Sequence, residues 1–303
     1  MNQVDQYRSG FCAFVGRPNA GKSTLTNALV GAKIAITSDK PQTTRRAVRG
    51  VLSRPDGQLV IVDTPGLHRP RTLLGQRLND VVRETLAEVD VVGFCVPANE
   101  KVGPGDRFIA AELQAVRASV IAVVTKTDTV GKQRVAEQLL AVSELGDWAE
   151  VVPTSARAGD QVELLAGLLI GQLPAGPQLY PDTVTTDETE ENRIAELIRE
   201  AALADVRDEL PHSIAVTVEE MNPRPDDGSG RPPLVDIFAT LHLERASQKP
   251  IVLGRGGSRL KRIGSEARRG IEELLGRRVN LNLHVAVMGE WQRDPKMLDR
   301  LGF

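Results

Sequence analysis

Between Gly16 and Ser23 the chain reads G-R-P-N-A-G-K-S, two glycines followed at once by a lysine and a serine. This is the G-x-x-x-x-G-K-[ST] spacing of a loop that wraps phosphate groups. Glycines let the backbone curl so that successive N–H groups face an anion, and a helix starting near Lys22 adds the positive end of its dipole. Lys22 is then placed to neutralise β- and γ-phosphates and Ser23 to hold a magnesium ion. Gly16, Arg17, Pro18, Asn19, Ala20, Gly21, Lys22, Ser23 and Thr24 form the candidate nucleotide loop. A plain glycine turn between a strand and a helix would use the same letters, so the reading depends on what lies downstream.

Downstream, an apolar, β-branched run at 58–62 ends in D-T-P-G, Asp63, Thr64, Pro65 and Gly66. An acid at the carboxyl end of a buried strand, beside a phosphate loop, supplies a second magnesium contact. The Gly66 N–H can report whether a γ-phosphate is present. Residues 33–46 are polar and turn-like after their first few positions, and either Thr43 or Thr44 can bring a hydroxyl to the metal when that phosphate is bound, an order–disorder switch. Ser23, Thr44 and Asp63 are thus the expected metal set, and Lys22, Thr44 and Gly66 the expected catalytic set. The bland alternative for 33–46 is a polar loop that happens to contain two threonines.

A third cluster is T-K-T-D, Thr125, Lys126, Thr127 and Asp128, following the apolar run V-I-A-V-V at 120–124. A carboxylate at Asp128 accepts two hydrogen bonds from the N1–H and exocyclic amine of guanine, an edge that adenine lacks, and a wrong base leaves buried groups unpaired. Lys126 would lie along base and ribose. A short strand at 150–153 then delivers Ser155, Ala156 and Arg157, with the Ala156 N–H available to guanine O6.

These residues need a frame. Helices are expected over 23–30, 78–89 and 106–116, and buried strands over 58–62, 91–96, 120–124 and 150–153. Strand–helix alternation with continuously apolar strands predicts a mostly parallel sheet covered on both faces, an α/β domain spanning 8–173. With 303 residues the chain suits two domains, and 41% hydrophobic and 26% charged residues let both bury a core. Cys12 and Cys95 lie in apolar runs, which suits a reduced cytoplasmic protein without disulfides. The first ten residues lack the apolar core of a signal peptide, and no apolar run approaches the roughly 18 residues of a spanning helix.

Residues 174–192, proline-bearing and then acidic, read as an interdomain linker. Beyond it a helix over the following apolar-periodic residues, strands over 213–218 and 234–243 joined by a long loop at 222–233, and a closing strand at 279–287 are expected. Gly254, Arg255, Gly256 and Gly257 form a G-x-x-G ahead of a cation-rich helix. From 245 to 278 ten cationic residues face three acidic ones, a local balance of +7 in a chain of net charge −2. Such a patch favours phosphate backbones. The pattern resembles KH domains, whose G-x-x-G loop clamps about four nucleotides. Gly254, Arg255, Gly256, Gly257, Arg259, Lys261 and Arg262 are the expected RNA contacts, in an α+β, type II KH-like domain over 193–303. With only ten aromatics, base stacking is not the expected main mode. His68, His212, His242 and His284 show no ligand spacing, and Trp148 and Trp291 read as packing residues.

G-R-P-N-A-G-K-S, P-Q-T-T-R, D-T-P-G, T-K-T-D and S-A-R, in this order, resemble the five guanine-nucleotide motifs of translation-factor-type GTPases, and P-Q-T-T-R together with the KH-like module resembles the Era family. The resemblance implies a GTP-hydrolysing switch that binds GTP and GDP with Mg2+, binds the 3′ end of small-subunit (16S) ribosomal RNA, assists assembly of the small ribosomal subunit and is a cytoplasmic monomer. It also implies peripheral contact with the cytoplasmic face of the membrane. Two positions depart from the wider pattern. The fourth motif usually begins with Asn, where Thr125 stands, and Ras-like enzymes carry a water-orienting Gln where Leu67 stands. Asn19 resembles the asparagine that binds a potassium ion in relatives lacking that Gln. Two rival readings remain: a non-hydrolysing RNA-binding scaffold with a degenerate nucleotide site, against which the intact Lys22, Ser23, Asp63 and Asp128 argue, and a related GTPase acting on transfer RNA, against which the G-x-x-G module argues.

Overall fold

The computed structural model describes residues 7–40, 43–67, 70, 72–204, 213–225 and 233–303. Pro41, Gln42, His68 and His212, and residues 226–232 of the long loop, lie outside the described residues. The chain divides into two compact units, the first reaching 187 apart from two short pieces at 38–41 and 72–74.

In the first unit β1 (Arg8–Val15), β2 (Val48–Arg54), β3 (Gly57–Asp63), β4 (Val91–Pro97), β5 (Ser119–Thr125) and β6 (Glu150–Pro153) form one sheet in the order β2-β3-β1-β4-β5-β6. All pairings are parallel except β2 with β3. Every residue of β3 and β4 is buried, as a sheet covered on both sides requires. On one face Phe14, Leu25, Ile61, Leu165 and Leu169 form a core under α1 (Lys22–Val30) and α5 (Val162–Gly171). On the other, Val82, Phe94, Ile109, Val124 and Val142 pack beneath α2 (Leu73–Glu88), α3 (Pro104–Leu113) and α4 (Lys132–Ser143). Trp148 belongs to this second core, its ring 5.4 Å from Phe94.

Strand β2 and helices α4 and α5 have no counterpart in the sequence-based expectations. V-R-G-V-L-S-R in β2 is only partly apolar, because one edge of this strand faces away from the sheet centre. That edge is covered. Of the stretch expected to be linker, residues up to 187 lie along the first unit: Val51 donates its N–H to Thr185 O at 2.9 Å, and the Thr186 hydroxyl donates to Arg49 O at 2.6 Å. The fully buried Gln58 amide donates to Tyr180 O and accepts from the Leu179 and Tyr180 N–H groups, at 2.8, 2.8 and 2.9 Å. This closes an edge that would otherwise offer unpaired backbone groups.

The second unit contains α6 (Glu190–Ala204), β7 (Ala215–Pro223), β8 (Leu234–Leu243), α7 (Lys249–Leu253), α8 (Ser258–Leu275), β9 (Arg278–Val287) and α9 (Pro295–Arg300). The sheet order is β7-β8-β9, with β7 antiparallel and β9 parallel to β8. Val235, Ile237, Ala239 and Leu241 alternate inward from β8, and Ile194 and Ile198 of α6 with Ile263, Ala267 and Ile271 of α8 are buried. Strand β7 starts two residues later than the expected 213 and runs five further, because pairing with β8 extends it to Pro223. Trp291 is fully buried, stacks on Phe303 and donates to Ser213 O. Among the described residues no helix is long and apolar enough to cross a membrane.

Candidate nucleotide site and nucleic-acid interface

The loop from Gly16 to Ser23 leaves β1 at its carboxyl end and enters α1 directly. Asn19 and Gly21 have φ of 63° and 90°, left-handed values that turn successive N–H groups to one side. Gly16 admits no side chain, since a Cβ there would stand 2.5 Å from Cys95 O. Burial pushes the Cys95 thiol up to about 12, so it packs as an apolar group beneath the loop. Lys22 is buried, and its ammonium donates to Gly16 O and Arg17 O, both at 3.1 Å. Burial lowers its pKa, and the charge of Asp63 opposes that shift.

Three oxygens from three segments meet beside it. The Ser23 and Thr44 hydroxyls lie 2.9 Å apart and donate to Asp63 Oδ2 at 2.6 and 3.2 Å. Asp63 is fully buried, and its Oδ1 has no hydrogen-bond partner among the described residues. Burial raises its pKa despite the Ser23 bond, the Lys22 charge and the Thr44 bond. A buried carboxylate with a spare oxygen and two hydroxyls is a hard, all-oxygen donor set that fits Mg2+. Among the described residues no cluster of three or more His, Cys, Asp or Glu offers another metal site.

At Gly66 a Cβ would lie 2.7 Å from Pro18 N, so only glycine lets this segment approach the loop so closely. The Thr64 hydroxyl is buried and donates to Phe14 O at 2.7 Å. Leu67 donates its N–H to Gly16 O and buries its side chain. Its apolar group therefore belongs to the core and offers nothing to a water.

On the base side, the Thr125 hydroxyl donates to Ala20 O at 2.6 Å. Lys126 has φ of 58°; its ammonium pKa is lowered by burial, with Glu100 opposing. Asp128 is exposed and receives the Ser155 hydroxyl at 2.6 Å, which aims its carboxylate. Ala156 follows on the same turn, and Arg157 is exposed. Thr127 donates its N–H to Thr154 O, joining the fourth and fifth motifs. Sequence reasoning missed the partners of Arg17, which pairs with Asp106 at 2.7 Å and Glu100 at 3.0 Å. It also missed Asn27, whose amide binds the Ile34 and Ala35 backbone and pins the start of the 33–46 segment.

In the second unit Gly254, Gly256 and Gly257 have φ of 71°, 56° and 77°. A Cβ on Gly254 would also come within 2.9 Å of Arg259 Cβ. The loop opens onto a groove of about 380 Å³ between α8 and β9, whose lining includes Gly257, Lys261, Gly264, Ser265, Arg268 and Asn280. Arg255 and Arg262 are exposed beside it. Arg259, expected to bind RNA, donates from Nη1 to Ile251 O at 2.7 Å and so ties α7 to α8. Arg268 and Ser265 were not singled out, although 257, 261, 264, 265 and 268 follow a helical stripe that periodicity can reveal.

Together the fold and these sites define a phosphate-loop GTPase that carries a KH domain. Residues 11–126 match the family model described as 50S ribosome-binding GTPase, and 209–292 match the KH domain model. The GTPase Era of Streptomyces coelicolor is 63% identical over 98% of this chain and 95% of that protein, and that of Mycolicibacterium smegmatis is 59% identical over 99% and 100%. A crystal structure of Era with MgGDPNP and nucleotides 1506–1542 of 16S ribosomal RNA superposes with a TM-score of 0.91, at 35% identity over 98% of this chain and 99% of that one. An Aquifex aeolicus Era variant bound to GDP·AlF4− gives 0.90, at 34% identity over 97% and 99%. The chain belongs to the Era GTPase family.

Proposed function

We propose that this GTPase is a magnesium-dependent switch that binds small-subunit ribosomal RNA through the α8–β9 groove and assists maturation of the small ribosomal subunit. The observation that carries it is the convergence of Ser23, Thr44 and Asp63 oxygens beside the buried Lys22 ammonium. Ser23 and Asp63 belong to rigid elements, whereas Thr44 comes from the 33–46 segment, so metal and γ-phosphate together hold that segment. Lys22 and the loop N–H groups stabilise charge on the phosphates, the Gly66 N–H meets the γ-phosphate, and Asp128, aimed by Ser155, selects guanine. Thr24, Thr64, Pro65, Thr127, Ala156 and Arg157 complete the nucleotide's surroundings.

Leu67 leaves the attacking water without a side-chain partner, so the catalytic charge comes from elsewhere. Asn19, with its left-handed backbone in the loop, is assigned to a potassium ion beside the phosphates. Hydrolysis should then run several-fold faster in potassium than in sodium, and equal rates would remove Asn19 from that role. Peripheral membrane contact rests on the family resemblance alone.

For RNA, the groove is flanked by cations and its G-x-x-G rim allows close backbone approach. The neighbour solved with nucleotides 1506–1542 of 16S ribosomal RNA supports that RNA as the ligand. The test is binding of GTP, ATP and a 3′-terminal 16S fragment by the wild type, Asp128→Asn and the double variant Lys261→Glu with Arg268→Glu. Guanine preference should vanish in the first variant, and RNA affinity with its salt dependence should fall in the second. RNA affinity unchanged by the double variant would exclude the groove. Equal RNA affinity with GTP analogue, GDP and no nucleotide would exclude the switch.

A further inference from the structure

Asn27 stands one helical turn beyond Ser23 on the same face of α1, and its side chain reaches the chain that leaves the helix. Its Oδ1 accepts the N–H groups of Ile34 and Ala35, both at 3.0 Å, and its Nδ2 donates to Ala35 O at 2.7 Å. Its own carbonyl takes the N–H of Gly31, whose left-handed φ of 73° ends the helix. Ile34, Ala35 and Ile36 are all buried, although they belong to neither a helix nor a strand. Buried backbone groups need partners, and an amide side chain, donor on one side and acceptor on the other, supplies three of them. Gly50 of β2 makes the room: a Cβ there would collide with Ile34 Cδ1 and stand 2.7 Å from Val30 Cγ2.

We infer that Asn27 is a positioning residue for the nucleotide switch: it roots the switch segment on the helix that carries Lys22 and Ser23, so that the part free to respond to nucleotide begins beyond Ile36. Asn27 acts through Thr44. One face of α1 then holds both a metal oxygen, on Ser23, and the root of the segment that delivers another. With the root in place the tether to Thr44 spans eight residues from Ile36; without it the tether would span thirteen, from Gly31. The chance that a flexible tether closes falls as about the 3/2 power of its length, so this lengthening alone lowers the local concentration of Thr44 at the metal about twofold. Ordering residues 34–36 afresh each time adds a further cost. Thr44 is called on only when a γ-phosphate is bound, so the whole effect falls on GTP and spares GDP. The inference rests on the guanine-nucleotide reading of this site and deepens it by naming what fixes the switch at its root.

The test measures affinity for fluorescent GDP and a non-hydrolysable GTP analogue in magnesium, with amide hydrogen exchange in both complexes, on the full chain as wild type, Asn27→Ala and Ile34→Ala. In wild type the 34–36 amides should be protected alike with either nucleotide, while those at 43–46 gain protection only with the GTP analogue. Asn27→Ala should bind the GTP analogue about three- to fivefold more weakly, through the longer tether and the lost hydrogen bonds, with GDP affinity within about twofold of wild type. Its 34–36 amides should then be protected only in the GTP-analogue complex. Ile34→Ala keeps the Asn27 bonds but removes packing at the same root, and should move the ratio of the two affinities in the same direction. A purely structural role would lower stability and leave that ratio alone. Equal losses for both nucleotides, or none, in Asn27→Ala would overturn the inference, as would wild-type exchange at 34–36 that follows the nucleotide. Where Asn27→Ala does not fold, Ile34→Ala and the wild-type exchange pattern decide by the same readouts. Failure of the wild type to bind guanine nucleotide, or to protect 43–46 with the GTP analogue, would instead refute the functional reading.

Discussion

The guanidinium Nε of Arg17 lies 2.7 Å from Oδ1 of Asp106, joining the second residue of the phosphate loop to the first turn of α3. Asp106 is fully buried, and its other oxygen accepts the Gly103 N–H at 2.8 Å, capping the helix. Both carboxylate oxygens are therefore engaged, one by the helix and one by the loop. The Arg17 stem packs over Gly105, where a Cβ would come within 2.7 Å of it. Asp106→Ala should cost about 2–3 kcal/mol of stability through the lost charge-assisted bonds. It should also weaken GDP binding. Denaturant unfolding with and without GDP checks both, and an unchanged GDP-dependent increment would show that the loop does not need this anchor.

Thr44 differs from Ser23 and Asp63 in coming from the switch segment. Thr44→Ala should lower magnesium-dependent affinity for a GTP analogue about tenfold while leaving GDP affinity within twofold, as the loss of one charge-assisted contact predicts. Ser23→Ala should weaken both. Chelation of magnesium should abolish the difference between GTP analogue and GDP in wild type. Titrations in magnesium and in chelator decide this, and equal losses for both nucleotides in Thr44→Ala would contradict the switch assignment.

Gln58 anchors the segment that leaves the first unit. Its fully buried amide holds the backbone of Leu179 and Tyr180, and the Tyr180 hydroxyl donates to Asp187 at 3.0 Å. Gln58→Ala leaves those backbone groups unpaired, at a cost of about 1–3 kcal/mol. Limited proteolysis should then cut within 177–187 faster than in wild type. Cleavage at the wild-type rate would mean that the β2 edge alone retains the segment.

His242 supplies a pH dependence for the second unit. Burial lowers its pKa below 6.5, with Glu219 opposing and Arg300 and His284 adding to the shift, and its Nδ1 has no partner among the described residues. The folded imidazole resists a proton that the unfolded chain accepts. Stability is therefore full above 6.5 and is lost as pH falls from 6.5 through the lower folded value. His242→Gln should remove this component. Melting curves of both proteins between pH 5 and 7.5 should diverge at the acid end, with wild type losing more.

The nucleotide motifs were legible in the sequence because each depends on a local signal. Continuous apolar runs mark the buried strands of a parallel sheet, and such a sheet delivers its ligand-binding residues at strand carboxyl ends. Gly16, Lys22, Asp63 and Asp128 could be placed on that logic, as could the G-x-x-G loop, whose three glycines take left-handed φ. What the sequence left undecided depends on partners far along the chain. Arg17 and Asp106 are 89 residues apart, and Gln58 and Tyr180 are 122 apart. Strand β2 was hidden because its mixed composition makes sense only between β3 and the 185–186 segment. Arg259 shows the same limit: its tie to Ile251 O, 2.7 Å from Nη1, is invisible in the spacing of a G-x-x-G loop. Residue type and spacing by themselves determined which chemistry is present and in what order. Only the tertiary structure decided which polar groups are already satisfied, because hydrogen bonds and ion pairs form between groups brought close in space, wherever they lie in the chain.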